Sequence, residues 1–178
     1  MTLRSFPNLN ALWAYLMIEE LVRNGVEYFC LSPGSRSALL AWAVGENKKV
    51  ESIVHFDERA LGYQALGICS ATLKPVGLIS TSGTAAANFF PAIIEASKKK
   101  LPLIVLTADR PPELRGTGSN QTIDQVKMFG DYVRCFTDLP APTLDIPPEF
   151  ATTAYSVTEF IVEPTGTPAP TGTPRWAA

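Results

Sequence analysis

Short, almost wholly apolar runs alternate along this chain with stretches whose apolar residues recur at helical spacing, and few architectures accept that pattern. Val76-Gly77-Leu78-Ile79-Ser80-Thr81 and Leu103-Ile104-Val105-Leu106-Thr107 are the purest of the runs. They are short and lack polar alternation, which predicts strands covered on both faces. Val26 to Leu31, dense in β-branched and aromatic residues, and Glu51 to His55 read as two more strands. Between them fall predicted helices. The first, capped by Asn8 or Asn10, carries Leu12, Trp13, Leu16, Ile18, Leu21 and Val22 and stops at Asn24-Gly25. Others run from Ala38 to Val44, from Asp57 to about Thr72, and from Ser82-Gly83-Thr84 through Phe89, Ile93 and Ala96 to Lys98-Lys99-Lys100. Strands alternating with helices give an α/β class, a doubly wound parallel sheet with helices on both faces.

Further on, a polar loop spans Asp109 to Gln121. A short helix near Asp124–Phe129, a strand near Tyr132–Phe136 and a last helix over Pro148–Ile161 are expected after it. Residues 1–162 are then one domain. The remaining 163–178 hold Pro164-Thr165-Gly166-Thr167-Pro168 and its repeat Pro170-Thr171-Gly172-Thr173-Pro174, a composition with nothing to bury that predicts a flexible tail.

Charge narrows the function. Fifteen basic residues against seventeen acidic ones give a net charge of −2 without a basic stripe, so nucleic acid is not an expected partner. No apolar run approaches the roughly 18 residues that suggest a membrane span. The amino terminus lacks a signal-peptide pattern, so a cytoplasmic, soluble domain is expected. Cys30, Cys69 and Cys135 are scattered and odd in number, which predicts reduced core thiols.

Right-handed crossovers gather the carboxyl ends of parallel strands on one sheet edge, where ligands of such folds bind. That edge would collect Ser32–Ser37, His55–Arg59, Ser80–Thr84 and Ala108–Arg115. Arg36, Arg59, Arg110 and Arg115 could hold an anionic small molecule there, two of them being expected to pair with Asp57, Glu58, Asp109 or Glu113 instead. Ser82-Gly83-Thr84 ahead of a helix could offer N–H groups to an anion. His55, the sole histidine, reads as a hydrogen-bonded structural residue. Ser35 and Ser82 lack a histidine base, so hydrolase chemistry is weak. Glu58 falls in the first turn of a helix, where a carboxylate suits the helix dipole. These residues describe an anion-binding α/β domain with a placed glutamate, and no reaction.

Five segments together are more selective. They are Ser32-Pro33-Gly34-Ser35-Arg36-Ser37, His55-Phe56-Asp57-Glu58-Arg59, Thr81-Ser82-Gly83-Thr84-Ala85, Leu106 through Ala108-Asp109-Arg110-Pro111-Pro112-Glu113-Leu114-Arg115, and Asn120-Gln121-Thr122-Ile123-Asp124-Gln125. In order and spacing, over roughly residues 8–140, they resemble the amino-terminal, pyrimidine-binding domain of one family. It is that of the thiamine-diphosphate-dependent 2-succinyl-5-enolpyruvyl-6-hydroxy-3-cyclohexene-1-carboxylate synthases of menaquinone biosynthesis. The resemblance implies a transferase that decarboxylates 2-oxoglutarate and adds the succinyl carbanion to isochorismate. It implies that Glu58, as a protonated carboxyl, hydrogen-bonds N1′ of the cofactor's aminopyrimidine and favours the imino tautomer that takes the thiazolium C2 proton. By the same resemblance Thr81, Ser82 and Gly83 line the pyrimidine pocket. Ser35, Arg36, Arg110, Asn120 and Gln121 contact substrates or intermediates.

The resemblance also implies thiamine diphosphate and a divalent metal, Mg²⁺ or Mn²⁺, whose Gly-Asp-Gly ligand motif belongs to a diphosphate-binding domain. That motif is absent from this sequence, and no metal ligand is expected in it. The chain therefore reads as a fragment, a truncated or frameshifted product or a split subunit, inactive alone. Its partner is expected to be that missing domain or a second subunit of a homo-oligomer. Two other readings stay open: the equivalent domain of an acetolactate-synthase-like enzyme, and a non-catalytic relic or partner-binding module.

Overall fold

The computed structural model describes residues 6–142 and the strand 157–161. Helix α1 spans Leu9–Arg23, its first turn closed by Asn8, whose side chain accepts the Ala11 N–H at 2.9 Å. Strand β1 is Tyr28–Leu31, α2 is Ala38–Glu46, β2 is Glu51–Val54 and α3 is Glu58–Thr72. Strand β3, Val76–Ser80, leads to the four-residue α4, Thr84–Ala87, and to α5, Phe90–Lys99. Strand β4 is Leu103–Ala108, β5 is Cys135–Asp138 and β6 is Val157–Ile161. They form one sheet in the order β2-β1-β3-β4-β6-β5.

The first four strands are parallel, with Leu31 level with Val54 on one side and Ile79 on the other. Every residue of β3 and β4 is buried. Successive side chains of a strand point to opposite faces, and β4 divides accordingly. Ile104 and Leu106 join a core with Ile18 and Leu21 of α1 and Leu40 and Val44 of α2. Leu103 and Val105 join a second core with Leu61, Ala65 and Cys69 of α3 and Ile93 and Ala96 of α5. The parallel part of the sheet is thus wound on both faces.

Four expectations change. The helix expected to run unbroken from residue 83 to the lysines is two helices, because Pro91 offers no N–H and its ring clashes with a carbonyl one turn back, at Ala87. No helix forms at 124–129: Asp124 caps a turn by accepting the Val126 N–H at 3.0 Å, Lys127 takes a left-handed φ of 54°, and a 3-10 turn follows at Gly130–Tyr132. The strand expected at Tyr132–Phe136 is shifted to Cys135–Asp138. Residues 157–161, expected as the end of a helix, are a strand antiparallel to both β4 and β5; Val157, Thr158, Phe160 and Ile161 are β-branched or aromatic. The rest of that expected helix, 148–156, and the 163–178 tail lie outside the described residues. Among the described residues no helix is long and apolar enough to cross a membrane.

Cys30 and Cys69 are buried free thiols, pushed up to about 12 by loss of solvent. Cys135, expected in the core, is exposed because it sits on the outermost strand.

Candidate functional site

Glu58 is placed by its cap. Asp57 accepts the Ala60 N–H at 2.8 Å, which starts α3 at Glu58 immediately after β2 and its exposed turn. The two oxygens of Glu58 then meet different donors. The hydroxyl of Ser32, 2% exposed at the end of β1, donates to Oε1 at 3.0 Å. The amide of Asn88 donates to Oε2 at 3.3 Å. Asn88 stands in the break that Pro91 makes between α4 and α5. The carboxyl is half-buried, and its Asn88 side faces solvent. Nearby, His55 Nδ1 accepts the Asp57 N–H at 3.0 Å, a structural role within the same turn.

The turn after β1 is pressed against the turn after β3. A Cβ on Gly34 would lie 2.3 Å from Cβ of Thr81, so only glycine fits. Ser37, buried, donates to the Gly34 carbonyl at 3.2 Å and closes that turn. Beside this contact two buried polar atoms have no partner among the described residues, Oγ1 of Thr81 and Nε of Arg36. Buried polar atoms are nearly always paired, so these two are the site's open valences. Ser35 is exposed, and no side-chain hydrogen bond engages it among the described residues.

Ser82 and Gly83 are tied elsewhere. Ser82 Oγ donates to the Gln121 carbonyl at 2.8 Å. Gly83, at a φ of 81° that favours glycine, gives its N–H to Gln125 Oε1 at 2.9 Å, and a Cβ there would lie 2.8 Å from the Gln121 oxygen. Its N–H is therefore not open to an anion, and α4 is a single turn, so a nest that Ser82-Gly83-Thr84 could offer lacks that donor. Gln125, 1% exposed, also reaches the Ala108 carbonyl at 3.3 Å. It knots the turns after β3 and β4 to the 120–125 loop.

Arg110 lies on that loop, donating to Thr122 Oγ1 at 3.3 Å and to the Asn120 carbonyl. The side chains of Asn120 and Gln121 face solvent. Of the four arginines only Arg115 is paired, with Asp109 and Asp138, where two were expected to be; Arg36, Arg59 and Arg110 have no ion pair among the described residues. A cleft of about 520 Å³ runs along Arg115, Gly116, Gly118 and Thr122 to Gln125, away from Glu58. No group of three or more His, Cys, Asp or Glu is placed to hold a metal among the described residues.

Ser32, Asn88 and Gln125 are the residues that sequence reasoning missed as site residues. Ser32 and Gln125 fall inside segments already singled out. Asn88 had no local signal, because its role depends on the helix break.

A doubly wound sheet that sets a first-turn glutamate at its carboxyl edge defines a class, and the comparisons agree with it. Residues 13–128 match the family of the thiamine pyrophosphate enzyme, N-terminal TPP binding domain, and the chain belongs to that family. It is 52% identical over 147 residues to a 2-succinyl-5-enolpyruvyl-6-hydroxy-3-cyclohexene-1-carboxylate synthase of Salinibacter ruber, covering 83% of this chain and 25% of that protein. The synthase of the same name from Psychromonas ingrahamii is 50% identical over 151 residues, 85% of this chain and 26% of that one. Protein PHYLLO, chloroplastic, of Arabidopsis thaliana is 50% identical over 145 residues, 82% of this chain and 8% of that protein. The chain spans about a quarter of the length of the bacterial relatives it matches.

Proposed function

We propose that this chain is the pyrimidine-side domain of a 2-succinyl-5-enolpyruvyl-6-hydroxy-3-cyclohexene-1-carboxylate synthase, acting on 2-oxoglutarate and isochorismate once joined to a diphosphate-binding domain. The observation that carries this reading is the two-donor seat of Glu58 at the sheet edge. Ser32 and Asn88 each donate to one of the two carboxyl oxygens. Half-burial leaves the Asn88 side reachable by a ring nitrogen, to which a protonated Glu58 would donate. Thr81, with a buried hydroxyl that has no partner among the described residues, lines the same edge and suits a heterocycle's polar atoms.

Thiamine diphosphate, when bound, supplies the electron sink that decarboxylation of a 2-oxo acid requires. The residues of this chain then bind and orient. Among the described residues Arg36 has an unpartnered Nε and Arg110 no carboxylate of its own, and both suit the carboxylates of the two substrates. Asn120 and Gln121, and Ser35 beside Arg36, suit hydroxyl and carboxylate oxygens. Ser82, through the Gln121 carbonyl, and Gly83, through the Gln125 side chain, keep the pyrimidine side in register with the 120–125 loop.

Mg²⁺ and the diphosphate belong, in this reading, to the complementary domain of the same enzyme or of a second subunit in a cytoplasmic homo-oligomer. A single hydrogen bond from Glu58 is worth about 0.5–1.5 kcal/mol, whereas millimolar binding takes about 4 kcal/mol. The chain alone is therefore expected to bind thiamine diphosphate too weakly to turn over. Mixing it with the remaining part of the enzyme and following product from 2-oxoglutarate and isochorismate tests this. Turnover in the mixture and none in either piece is the expected result. Equal turnover by the lone chain, or none from an assembled pair, overturns the reading.

A further inference from the structure

Arg115 is the most heavily engaged arginine of the edge, and its partners explain why it is not open to a substrate. One face of its guanidinium meets Asp138 with two parallel bonds, NH1 to Oδ2 at 2.7 Å and NH2 to Oδ1 at 3.0 Å. Its Nε lies 3.3 Å from Oδ2 of Asp109 and donates to the Arg110 carbonyl at 3.2 Å. Asp109 is 1% exposed at the end of β4, and its Oδ1 accepts the Arg110 N–H at 2.7 Å. Asp138 closes β5, the outermost strand.

The peptide of Arg110 is therefore held from both ends, its N–H by Asp109 and its carbonyl by Arg115. Its side chain is laid on Thr122 and Asn120. No carboxylate neutralises Arg110 among the described residues, whereas Arg115 beside it is neutralised twice. An arginine with a fixed backbone, a directed guanidinium and no internal counter-ion is prepared for an external anion.

We infer that Arg115 is a positioning residue: with Asp109 and Asp138 it forms a clamp across the ends of β4 and β5 whose task is to hold Arg110 in its anion-binding pose. The clamp needs the planar fork of arginine. A lysine keeps the charge but, as a single point donor, cannot grip Asp138 with two parallel bonds and reach the Arg110 carbonyl together. The link from the clamp to substrate use rests on the reading of Arg110 given above. The link from Arg115 to Arg110 does not.

Two measurements separate these links. In the 178-residue chain, the side-chain Nε–H resonance of Arg110 is followed by ¹⁵N relaxation in the native sequence, in Arg115→Lys and in Asp138→Asn. Both variants are expected to mobilise the Arg110 side chain while the rest of the amide spectrum stays in place. Asp138→Asn keeps the test readable should Arg115→Lys fold poorly. In the complete enzyme, Arg115→Lys is expected to raise the KM of the substrate that Arg110 holds by roughly ten- to a hundredfold, the scale of a weakened hydrogen bond between charged groups, with kcat much less affected. In an Arg110→Ala background it should cost nothing further. An Arg110 side chain as ordered in both variants as in the native chain overturns the inference, as do losses that multiply in the double variant. Mobilised Arg110 with unchanged KM leaves the clamp standing and removes Arg110 from substrate binding.

Discussion

Glu58 has two oxygens in two environments, and the difference assigns them separate tasks. Oε1 is tied to a buried hydroxyl that can donate or accept, so the bond to Ser32 survives either protonation state of the carboxyl. Oε2 meets an amide at the solvent side, over a longer 3.3 Å contact that an incoming ring nitrogen could replace. Removing Ser32 should therefore matter more than removing Asn88. Ser32→Ala is expected to cost about 1–2 kcal/mol, a hydrogen bond to a charged group discounted for half-exposure. Asn88→Ala is expected to stay below about 0.5 kcal/mol, as exposed positions do. Urea unfolding of the two variants checks the order, and equal costs would contradict it. Asp109 gives a pH signature. Burial raises its carboxyl above the ordinary value, opposed by the Arg110 N–H and by Arg115. A raised acid binds its proton more readily folded than unfolded, so its contribution favours the fold at low pH and is lost as pH rises from the unfolded value through the folded one. Asp109→Asn should flatten that slope in urea melts taken across the acid range. An unchanged slope would contradict it.

Elements set those residues in place, and their close approaches are tighter than their propensities. The turns after β1 and β3 touch where Gly34 meets Thr81, with 2.3 Å between an added Cβ and that of Thr81. Gly34→Ala is expected to destabilise by about 1–3 kcal/mol through overpacking, and Thr81→Gly in the same chain should return most of it. Thermal melts that show no rescue would place the strain elsewhere. Much at this scale was legible in the sequence. The apolar runs gave β3 and β4, Asn8 was one of the two caps offered for α1, and the helix expected from Asp57 gave Glu58 its first-turn place. What was not legible depended on neighbours in space. Pro91 as a break sends Asn88 to Glu58, an effect no local pattern announces. Asp124 and Lys127 make a turn where a short helix was expected, because a side chain satisfied the backbone first. The five residues of β6 take strand geometry by pairing between β4 and β5.

For the molecule as a whole, the features of the edge face outward together. Val54 is 59% exposed, Phe56 87% and Tyr63 46%, on β2, on the turn before Glu58 and on α3. Exposed apolar groups of this size are the kind of surface that the complementary domain proposed above would cover. The Glu58 carboxyl is the centre of the account. In the reconstituted enzyme, Glu58→Gln keeps the shape and an oxygen to accept the bond from Ser32 but removes the acid proton. Turnover of 2-oxoglutarate with isochorismate by that variant is the most direct measurement. A fall of about a hundredfold or more, the scale of a positioned acid or base, with the thermal midpoint unchanged, is the expected result. Turnover equal to that of the native sequence would contradict the role given to Glu58.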